Sequence, residues 1–187
     1  PENHLTPGVE TTTGPLGQGF ANAVGMAIAE RFLAPRYNQP DFDIIDHHTY
    51  AIAGDGCLLE GISYEAASLA GHLGLSRLVV LIDDNDISID GNTDLTFTEN
   101  VDQRFESCGW AVQAIDGHDP DAVAQALENA RAETQRPSLI RCQTHIGHGA
   151  PTKQDSSAAH GAPLGDEEIE GAKAGMDWPR ELFHVPE

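Results

Sequence analysis

The sequence predicts an α/β fold: a doubly wound, mainly parallel sheet with helices on both faces. Three observations carry this. Short apolar runs alternate with helical patterns along the chain, the signature of strand–helix–strand units. The run Leu78 to Ile82 (LVVLI) is apolar at every position, as a parallel strand covered on both faces must be. The chain has 187 residues, 40% of them hydrophobic, enough to bury a core without disulfide or metal staples.

The elements follow in order. Leu16 to Phe32 (LGQGFANAVGMAIAERF) is small and apolar almost all round until Glu30-Arg31. A helix of that kind needs cover on more than one side. Ala34-Pro35 is expected to stop it, and Asn38 to His48 is polar and irregular. Thr49 to Ala53 (TYAIA) reads as a short buried strand ending at Gly54-Asp55-Gly56. Glu60 to Leu73 reads as a helix with Ile62, Ala66, Leu69 and Leu73 on one repeat. Leu78 to Ile82 is the next strand and runs into Asp83-Asp84-Asn85. Thr98 to Cys108 is helical with Thr98 as N-cap and Gly109 beyond its end. Trp110 to Ile115 is a strand, and 116–120 a turn. Asp121 to Thr134 is an Ala-rich helix with Val123, Leu127 and Ala130 inward. Ser138 to Thr144 is a strand, Ile146 to Pro163 has no period, and Asp166 to Ala174 is a short helix led by acidic residues. Residues 1–187 are expected to form a single domain, with 175–187 as an irregular tail or linker.

Charge narrows the partners. Ten Lys and Arg against 30 Asp and Glu give a formal charge of −20. That excludes a nucleic-acid surface and disfavours anionic lipid, because both need a basic face. One phosphate ligand stays possible where backbone N–H groups or a metal supply the positive charge. Otherwise the acidity serves solubility or tolerance of salt. No stretch approaches a membrane-spanning apolar run. Cys57, Cys108 and Cys142 are odd in number and far apart, which predicts reduced thiols in a cytoplasmic protein. The start Pro1-Glu2-Asn3-His4 has neither an initiator Met nor a signal core, so the chain is expected to be cut from something longer or processed.

In a doubly wound sheet, sites lie beyond the carboxyl ends of the strands. That points to Gly54-Asp55-Gly56, to Asp83 through Asp90, and to the loop from Gly147 to Pro163. A strand, a glycine turn and a helix form phosphate-binding geography, but Leu59 stands where a dinucleotide fingerprint needs its third glycine. Asp55 would repel an incoming pyrophosphate unless a divalent cation lay between them, so in a phosphate loop it reads as a metal ligand. The competing reading is a turn held by an Asx hydrogen bond. Asp55, Asn85 and a backbone carbonyl beyond Asn85 offer the hard oxygens that Mg²⁺ takes, leaving places for phosphate and water. A solvated acidic loop is the alternative. A Ca²⁺ hand starting at Asp83 fails, since Ile87 falls at the fifth ligand position and the turn glycine is missing.

Gly54-Asp55-Gly56 with Asn85 thirty residues after Asp55 resembles the thiamine diphosphate motif. Around it stand Gly14-Pro15-Leu16-Gly17-Gln18-Gly19, Glu60-Gly61-Ile62-Ser63, Ser68-Leu69-Ala70-Gly71-His72-Leu73, Ser88-Ile89-Asp90-Gly91 and His160-Gly161-Ala162-Pro163-Leu164. In this order they resemble the transketolase family over essentially all 187 residues. The resemblance implies that Asp55, Asn85 and the carbonyl of Ile87 hold Mg²⁺ or Ca²⁺. It implies that the Gly56 backbone and the His160 imidazole contact the diphosphate, and that Gly14, Leu16 and Ile89 lie against the cofactor's rings. Glu60 would join a polar network between the two sites of a dimer, and His160 would also meet the substrate. Gly14, Gly17 and Gly19 could equally serve close helix packing. His72 reads as structural, and His145 and His148 receive no role.

The family's activity implies transfer of a two-carbon ketol unit from a ketose phosphate to an aldose phosphate. Its members are longer, so the chain is expected to be truncated at both ends and poorly active alone. A homodimer, or a second chain carrying the pyrimidine-binding domain, would complete the site. The alternatives are a non-catalytic cofactor-binding remnant, one subunit of a split enzyme, or a related ketose-forming thiamine enzyme such as dihydroxyacetone synthase.

Overall fold

A computed structural model describes residues 2–186; the first and last residues of the chain lie outside it. The described residues form two compact units. One comprises the chain up to Asp84 together with Glu99–Gln143, the other Asn85–Thr98 together with the chain from Thr144 onward.

The first unit holds the sheet. Its elements are α1 (Gln18–Tyr37), β1 (Thr49–Gly54), α2 (Gly61–Leu73), β2 (Leu78–Asp84), α3 (Val101–Ser107), β3 (Ala111–Asp116), α4 (Pro120–Ala132) and β4 (Ser138–Gln143). The four strands are all parallel, in the order β1-β2-β4-β3. Helices cover both faces. On one face Phe20, Val24 and Ala27 of α1, Ala66 and Ala70 of α2, Phe105 of α3 and Trp110 pack against Leu78, Val80, Ile82 and Leu139. On the other, Ala126 and Ala130 of α4 pack against Val79, Ile140 and Cys142. The doubly wound α/β fold is the observed one.

Several boundaries differ from expectation. The first helix does not stop at Ala34-Pro35 but runs to Tyr37, with the Asn38 N–H donating to the Ala34 carbonyl at 2.9 Å. A proline so near the end removes only one late hydrogen bond, so the last turn survives. Asn100, not Thr98, caps α3, its side chain accepting from the Gln103 N–H at 2.9 Å. Gly109 does follow the helix end, at φ 87°.

The inward face of α2 is also shifted. Ser63, Ala66, Ala67 and Ala70 are buried, whereas Ile62 and Leu69 are each 45% exposed. Small residues face inward because another backbone comes close: a Cβ on Gly71 would lie 1.7 Å from the Cys108 carbonyl oxygen. Trp110 fits beside this contact and donates its indole N–H to the Ala67 carbonyl at 2.9 Å.

β1 is not buried on both faces. Tyr50 is 49% and Ile52 83% exposed, while Thr49 and Ala53 are buried. β1 ends the sheet, and α4 buries residues of β2 and β4 rather than those of β1.

The second unit contains α5 (Asp166–Gly175), short 3₁₀ turns at Thr93–Leu95 and Ser157–Ala159, and long loops. Side chains hold the loop without a period in place. The Glu168 carboxylate accepts the N–H groups of Thr152 and Lys153 at 3.1 and 3.3 Å, and the Lys153 ammonium donates to the Leu164 carbonyl at 2.7 Å. Among the described residues no helix is long and apolar enough to cross a membrane. Cys57, Cys108 and Cys142 are free thiols.

Candidate functional site

The first unit holds the end of β1. Gly54 stands in register with Asp83 of β2, and the chain turns through a 3₁₀ segment, Asp55–Leu59, into α2. Asp55 Oδ1 accepts the Gly56 N–H at 2.7 Å. This is the local side-chain-to-backbone bond of a turn, and it uses one of the roughly four lone-pair sites of a carboxylate. The buried Ser63 hydroxyl donates to the Cys57 carbonyl at 2.6 Å and fixes the turn to α2.

The glycine segment before α1 lies against the same region. Gly17 has φ 79°, and a Cβ there would meet Glu60 Cβ and Ile62 Cγ2, each at 2.9 Å. That lodges the start of α1 over the start of α2. A Cβ on Gly19 would meet Thr13 Oγ1 at 2.7 Å. Gly17 and Gly19 therefore serve close packing. Gly14 and Gly54 differ, having open space where a side chain would project. A Cβ on Gly56 would touch only Leu16 Cδ1, at 3.7 Å. Leu16 and Gly56, both expected at the cofactor, are thus brought together, with Leu16 53% exposed. Glu60 is exposed at the head of α2.

The second unit holds the turn that follows β2 in the chain. Asn85 Oδ1 accepts the Ile87 N–H at 3.1 Å, an Asx turn. Asp86 takes φ 61°, a left-handed conformation that Asp tolerates better than most residues. Ile87 and Asn92 face each other as a bridge whose bonds run from the Thr93 N–H to the Asp86 carbonyl and from the Ser88 N–H to the Gly91 carbonyl. Neither bond consumes the Ile87 carbonyl. The Ile87 side chain is buried, whereas Ile89 is 74% exposed. In the same unit His160 closes the 3₁₀ turn, its N–H donating to the Ser157 carbonyl at 3.0 Å, and its side chain is exposed.

Three features escaped sequence reasoning. His145 Nδ1 lies 2.9 Å from Asp155 Oδ1, and the His145 ring stacks on that of His148. Burial would push the Asp155 carboxyl up, but its contacts with His145 and Gln154 prevail and hold it below the usual range. Burial and the nearby Asp83 push the Cys142 thiol up, which keeps it protonated and unreactive. Arg141, the charged residue in the strand SLIRCQ, joins two carboxylates: its Nε and Nη2 donate to Asp102 at 2.8 Å each, and its Nη1 to Asp84 at 2.8 Å. The signal in the sequence was an arginine amid an apolar strand. Among the described residues no group of three or more His, Cys, Asp or Glu is arranged to hold a metal ion.

Comparison with known proteins identifies the frame for these residues. A family profile described as "Transketolase, thiamine diphosphate binding domain" matches residues 1–187. The chain belongs to the transketolase family. Transketolase 1 of Pasteurella multocida is 54% identical over 187 residues, covering 100% of this chain and 28% of that protein. Transketolase from Leishmania mexicana has the same fold at a TM-score of 0.93 and 48% identity, covering 100% of this chain and 28% of the other. A Pichia stipitis transketolase solved in complex with sedoheptulose-7-phosphate matches at a TM-score of 0.91 and 48% identity over 96% of this chain and 27% of that one. The chain therefore spans little more than a quarter of the length of the transketolases it matches.

Proposed function

We propose that this chain supplies the diphosphate and metal half of a transketolase site. The whole enzyme transfers a two-carbon ketol unit from a ketose phosphate to an aldose phosphate, with thiamine diphosphate and Mg²⁺ (or Ca²⁺) as cofactors. The observation that carries the reading is the family's thiamine diphosphate binding domain profile, which matches across residues 1–187. We read residues 1–187 as one such domain, with 175–187 as its irregular tail.

In this reading Asp55 offers a carboxylate oxygen, Asn85 its amide oxygen and Ile87 its carbonyl to the metal. These are the hard donors Mg²⁺ prefers, and they leave room for phosphate oxygens and water. The donor set fits the group. The Ile87 carbonyl is not spent in its bridge, and Gly14 and Gly54 leave open space. A chain of charge −20 can hold a diphosphate where a cation separates it from Asp55. In the structure the Gly56 N–H is paired with Asp55. With the cofactor bound, the Asp55 carboxylate would be available to hold the metal and the Gly56 N–H to meet the diphosphate.

Gly14, Leu16 and Ile89 line the cofactor's rings. Two exposed apolar side chains and one residue without a side chain suit a flat aromatic ligand. His160 donates from its imidazole to the diphosphate and meets the substrate. Glu60, exposed at the head of α2, takes part in a polar network with a partner site in a homodimer, or with a second chain carrying the pyrimidine-binding domain. Thiamine diphosphate supplies a carbon nucleophile and an electron sink for breaking the bond beside a carbonyl. The residues here orient it and balance its charge. Sugar phosphates as substrates are supported by the complex solved for the Pichia stipitis relative. A cytoplasmic setting is supported by the three free thiols.

The test is a calorimetric titration of the full-length protein with thiamine diphosphate, with and without Mg²⁺, followed by an assay of ketol transfer from xylulose 5-phosphate. Metal-dependent binding and turnover are expected. Binding indifferent to metal would overturn the assignment.

A further inference from the structure

We propose that Arg141 is a positioning residue for the divalent metal, fixing the end of β2 from which Asn85 and Ile87 enter their turn. The proposal rests on the metal role given above to Asn85 and Ile87. Arg141 lies on β4 in register with Ile82 of β2. Its guanidinium bridges three elements. Two parallel bonds of 2.8 Å join it to Asp102 on α3, and one of 2.8 Å joins it to Asp84, the last residue of β2. The three side chains are only 22–29% exposed, so solvent does not dissolve the link as it would a surface pair. The hydrogen bonds that Arg141 donates hold the Asp102 carboxyl below its ordinary range, and donating them to that carboxylate raises the guanidinium in turn.

Two consequences follow for the metal. First, the peptide leaving Asp84 leads directly into the Asx turn of Asn85 and the left-handed Asp86. A shift of Asp84 is passed by the backbone to the Asn85 amide and the Ile87 carbonyl. Second, the strand end carries Asp83, Asp84 and Asp86 in a row of four residues. An Asp84 carboxylate left unengaged would compete for the cation. Arg141 engages it, so that the neutral Asn85 is the residue offered. The planar fork matters here, because an ammonium cannot donate two parallel bonds to one carboxylate and a third to another.

The experiment uses the full-length protein. Mg²⁺ is titrated at saturating thiamine diphosphate, binding is followed by calorimetry, and thermal unfolding is measured without metal. Arg141→Met is expected to weaken apparent Mg²⁺ affinity 10–100-fold, as loss of a residue supporting metal ligands typically does, with cofactor binding regained at high Mg²⁺. Arg141→Lys should fall between. An Mg²⁺ affinity within twofold of the unaltered protein overturns the proposal, including when the unfolding temperature drops, since Arg141 is then only a strut. If Arg141→Met does not fold, Arg141→Gln, which cannot bridge both carboxylates, carries the same test with the same threshold. Asp55→Ala separates the two readings. If it leaves metal-dependent binding intact, the metal site itself is wrong. If it abolishes binding while Arg141→Met and Arg141→Gln do not weaken it, the positioning role alone fails.

Discussion

The ends of β1 and β2 lie side by side, Gly54 beside Asp83, yet they are built by different forces. The end of β1 is a steric construction. Gly17 sits within contact of Glu60, Ile62 and Ser63, and Gly56 approaches only Leu16. Its polar ties are short in the chain, from the Gly56 N–H to Asp55 and from the Ser63 hydroxyl to the Cys57 carbonyl. The end of β2 is an electrostatic construction, in which Asp84 and Asp102 share one guanidinium. The first should tolerate no added atom at Gly17 and ignore pH. The second should tolerate changes of size but respond to pH.

Gly17→Ala breaks the comparison most sharply. The backbone there has φ 79°, and the new Cβ would lie 2.9 Å from both Glu60 Cβ and Ile62 Cγ2. The left-handed conformation and the overpacking together cost about 2–4 kcal/mol. Urea denaturation should show this loss, and the same loss at pH 5 and pH 8. A cost below about 1 kcal/mol would mean that the α1–α2 contact yields easily, and the steric description of this end would fall.

Asp102→Asn probes the other end with a smaller effect. Removing one partner of a half-buried, charge-assisted pair costs about 1–2 kcal/mol at neutral pH. The sign of the pH dependence is fixed. The native carboxyl is held below its unfolded value of 3.8, so its contribution is complete above that value and is lost as pH falls through the lowered native value. The stability difference between the two proteins should therefore be flat from neutral pH to about pH 5 and shrink below about pH 4. A difference that grows on acidification would reverse the account.

The sequence made the sheet and its order of elements legible because apolar runs and glycine punctuation repeat with little ambiguity. The proposed site rests on a different signal: Asp55, Asn85 and His160 stand in short patterns that can be matched without any geometry. What escaped depends on distances between segments remote in the chain. Ser63, Ala66, Ala67 and Ala70 are the inward face of α2 only because the Cys108 carbonyl passes over Gly71, and nothing in the helix's own period reveals that. Tyr50 and Ile52 look like core residues until the strand order puts β1 at the edge. Arg141 and Asp102 are 39 residues apart, and their pairing is a product of the fold alone.

The smallest effect belongs to the turn after β2. Asp86 holds φ 61°, and its carbonyl accepts the Thr93 N–H at 2.9 Å. Glycine adopts this conformation without the Cβ penalty but loses more freedom on folding, so the two terms nearly offset. Asp86→Gly should stabilise the turn by no more than about 1 kcal/mol, and Asp86→Val should destabilise it. The measurement is local rather than global: amide hydrogen exchange at Thr93 and Ser88, whose N–H groups close the turn. Slower exchange in the glycine variant and faster exchange in the valine variant are expected. If both variants exchange faster, the Asp86 side chain itself holds the turn, and charge governs this end of the sheet even where the backbone conformation offers a simpler account.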